Sequence, residues 1–283
     1  MKTLFLNAVI FFLGFNAVKA QNLHLTLFGG ISNYQGDLQS KRFTFQQAKG
    51  AVGAGVLYEI TQKLYIRGNV TFGKLNGDDA KSSINAVRNL SFSSPVTDLH
   101  LGLEYDLLNS YERNFAPYVF AGVSAFHFNP STLDSTGAKV ILQPLGTEGQ
   151  GFFLGRTKYK LTQLALPFGG GVKFSLTENI RVRFEIGLRK TFTDYLDDLS
   201  STYADQALLI LNNGQRSADL AFRGDELKGS GALYPEANSK RGNSGSKDWY
   251  YFAGAGISFR LSPRFEIAGG AGRSKTGCPV NIY

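Results

Sequence analysis

The chain has 283 residues, a hydrophobic fraction of 43% and a formal net charge of +8. Its basic residues are dispersed along the chain, which argues against nucleic acid and favours phosphate groups or an acidic protein as the partner. Glycine (33 residues) and aromatic residues (13%) are abundant for a helical protein, and with scattered short apolar segments they indicate an all-β protein.

The first residues have the organisation of a secretory signal peptide. Lys2 gives a positive start, residues 4–15 form an apolar stretch, and Val18-Lys19-Ala20 has the small-x-small pattern of a cleavage site. The apolar stretch is shorter than the roughly 20 residues of a transmembrane helix. We predict three segments: a cleaved signal peptide at 1–20, an outer-membrane β-barrel at 21–262 and a periplasmic tail at 263–283.

Alternation of apolar and polar residues with a period of two predicts eight strands. They cover residues 23–34, 50–60, 63–74, 95–106, 115–128, 161–175, 180–193 and 248–261. Each is long enough for the roughly 9–11 residues with which a tilted strand crosses a bilayer, and an even number of strands can close without a free edge. The predicted fold is an all-β, eight-stranded antiparallel transmembrane β-barrel.

The connections between these strands alternate strictly between short and long. The short ones lie at 61–62, 107–114 and 176–179, and the long ones at 35–49, 75–94, 129–160 and 194–247. Outer-membrane barrels have short periplasmic turns and long extracellular loops, whereas a β-sandwich has no reason to separate loop lengths by end. The pattern predicts an outer-membrane protein with both termini in the periplasm.

Aromatic residues near the strand ends suggest two interfacial girdles, although aromatic residues are also ordinary strand formers. The predicted outer girdle contains Tyr34, Phe72, Phe126, Phe128, Phe192, Trp249, Tyr250 and Tyr251. The predicted periplasmic girdle contains Tyr58, Tyr65, Tyr105, Phe115, Tyr118, Phe174 and Phe259. The long last loop contains an apolar stretch at 207–211, which we expect to form a short helix over the barrel mouth, and a mobile Gly/Ser/Asn-rich part at 240–247.

Eight strands enclose an interior that side chains just fill. The residues predicted to face it carry both signs of charge: Arg67, Asp98, Glu104, Lys173, Arg181, Arg183, Glu185 and Arg260. Because an unpaired buried charge costs several kcal/mol, we predict a plug of salt bridges and no conducting channel.

An enzymatic function needs a constellation of reactive side chains at the rim. His127, with Ser124 and Ser131 nearby, is the single rim histidine and has no triad spacing. No His, Cys and carboxylate residues cluster at metal-ligand spacing, and Gly169–Gly171 lies within a strand with no helix after it to bind phosphate. We predict no catalytic residue, no cofactor and no metal.

The segment Gly29 to Leu38 contains the pattern Y-x-G-D-L, and the chain ends with a cysteine-containing tail. Both features resemble the PorG-like family of Bacteroidetes outer-membrane β-barrels. The signature residues are Gly29, Tyr34, Gly36 and Asp37. From the residues alone, this segment is either a strand-terminating turn with Tyr34 at the membrane interface or a partner contact.

The family resemblance implies a non-enzymatic component of the type IX secretion system, which anchors a periplasmic ring to the outer membrane. The implied partners are the ring lipoprotein and its associated ring subunit, besides outer-membrane lipids and lipopolysaccharide. The candidate partner-binding residues are Arg273, Lys275, Gly277, Cys278 and Pro279. Cys278 is the one cysteine and is a candidate for an interchain disulfide. Alternative functions are a lipid-A-modifying or lipid-hydrolysing enzyme, and a small-solute channel or receptor.

Overall fold

A computed structural model describes residues 22–39, 44–81, 85–229 and 231–261. The strands are β1 (Leu23–Gln35), β2 (Lys49–Glu59), β3 (Leu64–Asp78), β4 (Ser91–Asp106), β5 (Phe115–Phe128), β6 (Ser131–Leu133), β7 (Lys139–Ile141), β8 (Thr162–Ser175), β9 (Ile180–Thr191) and β10 (Trp249–Arg260). The helices are α1 (Gln206–Asn213) and α2 (Gln215–Ala221), with 3₁₀ turns at Asp79–Lys81, Ala86–Arg88, Gln143–Leu145 and Gly224–Glu226. No helix in these ranges is long and apolar enough to cross a membrane.

Eight of the strands form one closed antiparallel barrel. Each pairs with its neighbour in the order β1, β2, β3, β4, β5, β8, β9 and β10. Pairing of β1 with β10, for example Leu25 opposite Phe259, closes the ring and leaves no free edge. The predicted fold is therefore confirmed, and the strand boundaries agree with the prediction to within a few residues.

Two features at one end of the barrel were not predicted from the sequence. Strands β3 and β4 continue as a paired ribbon as far as Asp78 and Ser91. The short hairpin β6–β7 then extends the sheet through a pairing between Ser93 and Ser131. These additions build a structured rim, which we call the loop end because the four long connections lie there. The opposite end, with the short connections, is the turn end.

The outer face of the barrel carries a belt of exposed apolar side chains. Because successive residues of a strand point to opposite faces, the belt contains alternate positions of each strand. It includes Leu25, Leu27, Val52, Val56, Ile66, Phe72, Leu99, Leu101, Leu103, Val119, Val123, Leu164, Leu166, Phe168, Phe184 and Ile186. A closed sheet with this belt outside and charged residues inside is the arrangement of an outer-membrane β-barrel.

The interior of the barrel is filled by a network of ion pairs centred on Glu104, as predicted. This carboxylate lies 3.2 Å from Arg67, 2.7 Å from Lys173 and 2.6 Å from Arg183, and its side chain is fully buried. A second carboxylate, Glu185, lies 2.5 Å from Arg67 and 3.4 Å from Arg183. The network therefore blocks the barrel at mid-height.

Further ion pairs lie on either side of this centre. Lys173 also contacts Asp106, at 2.5 Å. Towards the loop end, Arg189 lies 3.5 Å from Asp98, which accepts a hydrogen bond of 2.6 Å from the Tyr250 hydroxyl. Mutual pairing offsets the cost of removing these charges from water.

The strand glycines make room for large side chains in the narrow barrel. A Cβ atom at Gly171 would meet the Tyr118 hydroxyl oxygen at 2.8 Å. That hydroxyl donates a hydrogen bond of 2.7 Å to Glu185. The glycine thus leaves space for an aromatic side chain that belongs to the ion-pair network.

We expect Glu104→Gln to lower the free energy of unfolding by about 3–5 kcal/mol, because it leaves buried cations without a shared counter-ion. The measurement is the urea concentration at which half of the barrel is unfolded, with the folded fraction read from its migration in unheated SDS gels. Glu178→Gln is the matched control, since Glu178 is exposed at the turn end and makes the same charge change. An unchanged midpoint for Glu104→Gln would contradict the assignment of this carboxylate as the centre of the plug.

Candidate functional site

The long connections fold together over the loop end. We use the word cap for the described residues that join β1 to β2, β3 to β4, β5 to β8 and β9 to β10. Apolar side chains from the cap, among them Leu38, Leu90, Leu142, Leu196, Leu199 and Leu220, pack in one cluster with lumen residues of the upper barrel. The cap therefore continues the barrel interior and covers the mouth.

The two helices of the cap lie in the last long connection, where the sequence predicted a short helix. Helix α1 begins after Asp205, whose side chain accepts a hydrogen bond of 2.9 Å from the Leu208 backbone N–H. An Asp in this position satisfies a free N–H group of the first turn. Leu209 of α1 and Ala218 of α2 are buried in a second small apolar cluster.

Tyr34 of the signature lies in the barrel and holds the cap. Its side chain is fully buried, and its hydroxyl donates a hydrogen bond to the carboxylate of Asp197 in the last long connection. The ring also packs edge-on against Phe92, with centroids 4.9 Å apart. The expectation that Tyr34 anchors at the membrane interface is therefore wrong.

Gly36 and Asp37 also contact the last long connection. A Cβ atom at Gly36 would overlap the Tyr34 hydroxyl and the Asp248 carboxylate, so only glycine fits there. The Asp37 carboxylate accepts a hydrogen bond of 2.8 Å from the Asn243 backbone N–H. By contrast, a Cβ atom at Gly29 would meet nothing within 4 Å, and no contact in the structure explains this signature glycine.

An ion pair between Arg241 and Glu148 lies at the centre of the cap. The guanidinium donates to the Glu148 carboxylate at 3.1 Å and to the Asp198 carbonyl oxygen at 2.7 Å. Glu148 also accepts hydrogen bonds of 2.9 Å from Ser200 N–H and 2.7 Å from the Ser201 hydroxyl. These bonds join the β5–β8 connection to the β9–β10 connection.

A second arginine joins the remaining connections. Arg88 pairs with Asp79 at 2.8 Å, and its guanidinium donates to the backbone oxygens of Asp37 at 3.2 Å and Arg241 at 2.5 Å. The segment containing Arg241 was expected to be mobile. It is instead tied to the β1–β2 and β3–β4 connections, so all four long connections are bonded into one cap.

The cap contains several aspartates in poor contact with water. Burial raises the pKa of Asp194 to about 7 and that of Asp198 to about 6. Burial and the nearby carboxylates raise the pKa values of Asp197 and Asp248 well above the ordinary value. Among the described residues, no group of three or more His, Cys, Asp or Glu is arranged to hold a metal ion.

The outer aromatic girdle is only partly present. Phe72 and Phe192 are exposed, with 50% and 58% of their surface accessible. Tyr34, Phe126, Phe128 and Tyr250 are instead fully buried on the lumen face and pack beneath the cap. For these four residues the prediction of a girdle is wrong. At the turn end, Tyr65 and Tyr118 are likewise buried inside, while Tyr105, Phe115 and Phe174 are exposed outside.

The rim residues weighed for catalysis do not come together. His127 is exposed on the outer face, with its Nδ1 atom 3.0 Å from the Thr162 hydroxyl. Ser124 lies on the opposite, buried face of the same strand, and the Ser131 hydroxyl donates to the Ser93 carbonyl oxygen at 2.8 Å. The structure therefore brings neither Ser124 nor Ser131 together with His127.

The turn end contains a polar pocket of about 380 Å³. Its cationic residues are Arg181, which is 4% exposed, and Arg260. Their guanidinium carbons lie 4.6 Å and 5.2 Å from the centroid of the Tyr111 ring. The exposed side chain of Glu178 also lines the pocket, so the lining contains one carboxylate beside the two arginines. Two cations beside one exposed carboxylate leave a net positive pocket, which is suited to an anionic group.

The candidate partner-binding residues of the tail, Arg273, Lys275, Gly277, Cys278 and Pro279, lie outside the described residues, as does the predicted signal peptide. The structure therefore describes the signature segment near the start of the chain, and the tail lies outside the described residues.

Residues 3–143, which include β1 to β7, match the family described as a domain of unknown function, DUF6089. Among curated proteins, none matches the sequence. Among solved structures, the chain is similar to Neisserial surface protein A, with 10% identity, a TM-score of 0.42 and coverage of 84% of this chain and 97% of that one. It is also similar to Ail of Yersinia pestis, with 11% identity, a TM-score of 0.38 and coverage of 84% of this chain and 97% of that one. For OprG of Pseudomonas aeruginosa the identity is 12%, the TM-score 0.35 and the coverage 85% of this chain and 97% of that one.

We expect the cap to be more stable at pH 5 than at pH 8. The folded cap raises the carboxyl pKa of Asp194 to about 7 and of Asp198 to about 6, so it favours their protonated forms. The resulting stabilisation is present below about pH 4 and is lost as the pH rises through 6 to 7. The measurement is the amide protection factor of residues 192–248 at both pH values, and Asp194→Asn should reduce the difference. Greater protection at pH 8 would contradict this expectation.

Proposed function

We propose that this protein is a non-enzymatic outer-membrane component of the type IX secretion system, which anchors the periplasmic ring complex to the outer membrane. The observation that carries the proposal is that the barrel is closed twice, by the ion-pair plug and by the cap. A barrel filled in this way has no continuous path for a solute, so its surfaces rather than its lumen are available for function.

The turn end is the surface that supports contact with a periplasmic partner. With short turns in the periplasm, as barrels of this type are arranged, the pocket with Arg181 and Arg260 faces the ring. Tyr111 donates a hydrogen bond to Glu59, which also lies 3.3 Å from His24, so this carboxylate already has partners within the barrel. The cationic pocket therefore suits an acidic side chain or a terminal carboxylate of the partner.

The resemblance at both ends of the chain supports the choice of secretion system. The Y-x-G-D-L segment and the cysteine-containing tail are the two features shared with the PorG-like family. In this chain the Y-x-G-D-L segment is a structural element that joins the first strand to the cap. The contact with the ring is consequently assigned to the turn end and the tail.

The test is recovery of the ring lipoprotein and its associated subunit with the tagged full-length protein from detergent-solubilised membranes. We expect Arg260→Glu to lower this recovery about tenfold, because it reverses a charge in the pocket. Lys228→Glu is the matched control, since it makes the same charge change on an exposed residue of the loop end. Absence of both ring proteins from the wild-type eluate would overturn the proposal. Equal recovery of the ring proteins with both variants would show that the pocket does not bind the ring.

Cys278 gives an independent test of the tail. We propose that it forms a disulfide with a ring component, and we expect a larger band in non-reducing electrophoresis of native membranes. The band should disappear on reduction and in Cys278→Ser. An unshifted monomer in the wild type would show that the thiol does not link this chain to the ring.

A further inference from the structure

The side chains on the outer face of the β3–β4 ribbon change from apolar to polar where the ribbon passes from the belt to the loop end. On β3 the exposed Phe72 is followed on the same face by Lys74 and Asn76. On β4, Ser93 and Pro95 lie opposite Asn76 and Lys74, beyond the exposed Leu99. Two residues of a strand span about 6.6 Å, so Lys74 lies within about that distance of Phe72, the last apolar side chain of the belt on β3.

A groove of about 530 Å³ opens at this level on the outside of the barrel. We call it the rim groove. It lies between the ribbon β3–β4, the hairpin β6–β7 and the start of β2, and is lined by the lysines Lys49, Lys74, Lys81 and Lys139. These lysines come from β2, from β3 with the 3₁₀ turn that continues it, and from β7, so the fold brings three separate segments of the chain together here.

The charges of the rim groove are not balanced by the protein. Asp78 is the one carboxylate of its lining, and it lies 3.9 Å from Lys81. Within the described residues, no carboxylate lies in ion-pair distance of Lys49, Lys74 or Lys139. The groove therefore presents three lysines with no ion-pair partner among the described residues, whereas Arg67, Lys173 and Arg183 of the barrel interior are each paired.

The groove also borders apolar surface. Phe72 lies directly below Lys74, and Leu133 of the hairpin β6–β7, which lines the groove, has 57% of its surface exposed. An occupant that satisfies both surfaces carries phosphate groups at the level of the lysines and acyl chains at the level of the belt. Lysine binds phosphate as a compact point charge, and each lysine near a membrane surface favours anionic lipid.

We propose that the rim groove binds the phosphate groups of an outer-leaflet lipid, with the acyl chains against Phe72 and Leu133. This binding fixes one lipid to the barrel where the β3–β4 ribbon and the hairpin β6–β7 extend the sheet at the loop end. It does not depend on the function proposed for the turn end, which lies at the other end of the barrel.

The test is native mass spectrometry of the detergent-purified full-length barrel with diphosphoryl lipid A. We expect Lys74→Gln with Lys139→Gln to weaken binding about 30-fold, from the contribution of each lysine near a membrane surface. The matched control is Lys160→Gln with Lys228→Gln, which removes two exposed lysines of the loop end outside the groove. Migration of unheated and heated samples in SDS gels shows that each variant is folded.

Four outcomes decide the proposal. A weakened complex in the groove variant, with unchanged affinity in the control variant, supports it. Equal affinity in both variants overturns it, as does equal binding of wild-type protein to lipid A from which both phosphates have been removed. A third arm uses inorganic phosphate alone: if it is retained by the wild type and lost in the groove variant, the groove takes a free anion and not a lipid.

Discussion

The interior of this barrel is too narrow for water to solvate the charges that its strands bring inside, so those charges must solvate each other. Glu104 satisfies this constraint by contacting three cations at 2.6–3.2 Å, and Glu185 contacts two of the same cations. Each partner comes from a different strand or a different level of the sheet, so the network fixes strand register as well as charge balance. The closed lumen follows from this filled interior.

The upper half of the barrel is filled mainly by aromatic and aliphatic side chains rather than by ion pairs. Phe126 and Tyr250 pack with centroids 5.2 Å apart, and the Tyr250 hydroxyl reaches Asp98 in the ion-paired layer below. Above them, Leu196 and Leu199 of the cap extend the apolar cluster. The molecule thus has three layers along its axis: paired charges, aromatic rings and a polar cap held by Arg88 and Arg241.

The sequence predicts the barrel well because each strand repeats a period-two pattern that depends only on neighbours in the chain. In β9, charged residues at 181, 183 and 185 alternate with apolar ones, and this alternation placed all three on the lumen face; Arg183 and Glu185 belong to the plug as predicted, whereas Arg181 lines the turn-end pocket instead. The same alternation places Tyr34 on the face of Ser32, and Phe126 on the face of Ser124, so the lumen position of these rings was available from parity. Because Tyr34 and Phe126 lie near strand ends, they were assigned to the outer aromatic girdle instead.

The cap could not be predicted in the same way. Arg241 and Glu148 are 93 residues apart, and no periodic pattern connects them. The rim groove depends on β3 and β4 continuing past the membrane and on a three-residue hairpin, both of which are too short and too polar to stand out in the sequence. Burial of a charged residue in a loop leaves no local sequence signal, because its partner comes from another loop.

The hydrogen bond from Tyr34 to Asp197 spans 163 residues, and the one from Asn243 to Asp37 spans 206. Both join the end of the first strand to the connection that immediately precedes the last strand. Pairing of β10 with β1 brings these two segments side by side, so closure of the sheet favours the contacts that complete the cap. Completion of the cap is thus coupled to closure of the sheet, and a surface protease would distinguish a finished barrel from an open assembly intermediate without any probe in the membrane.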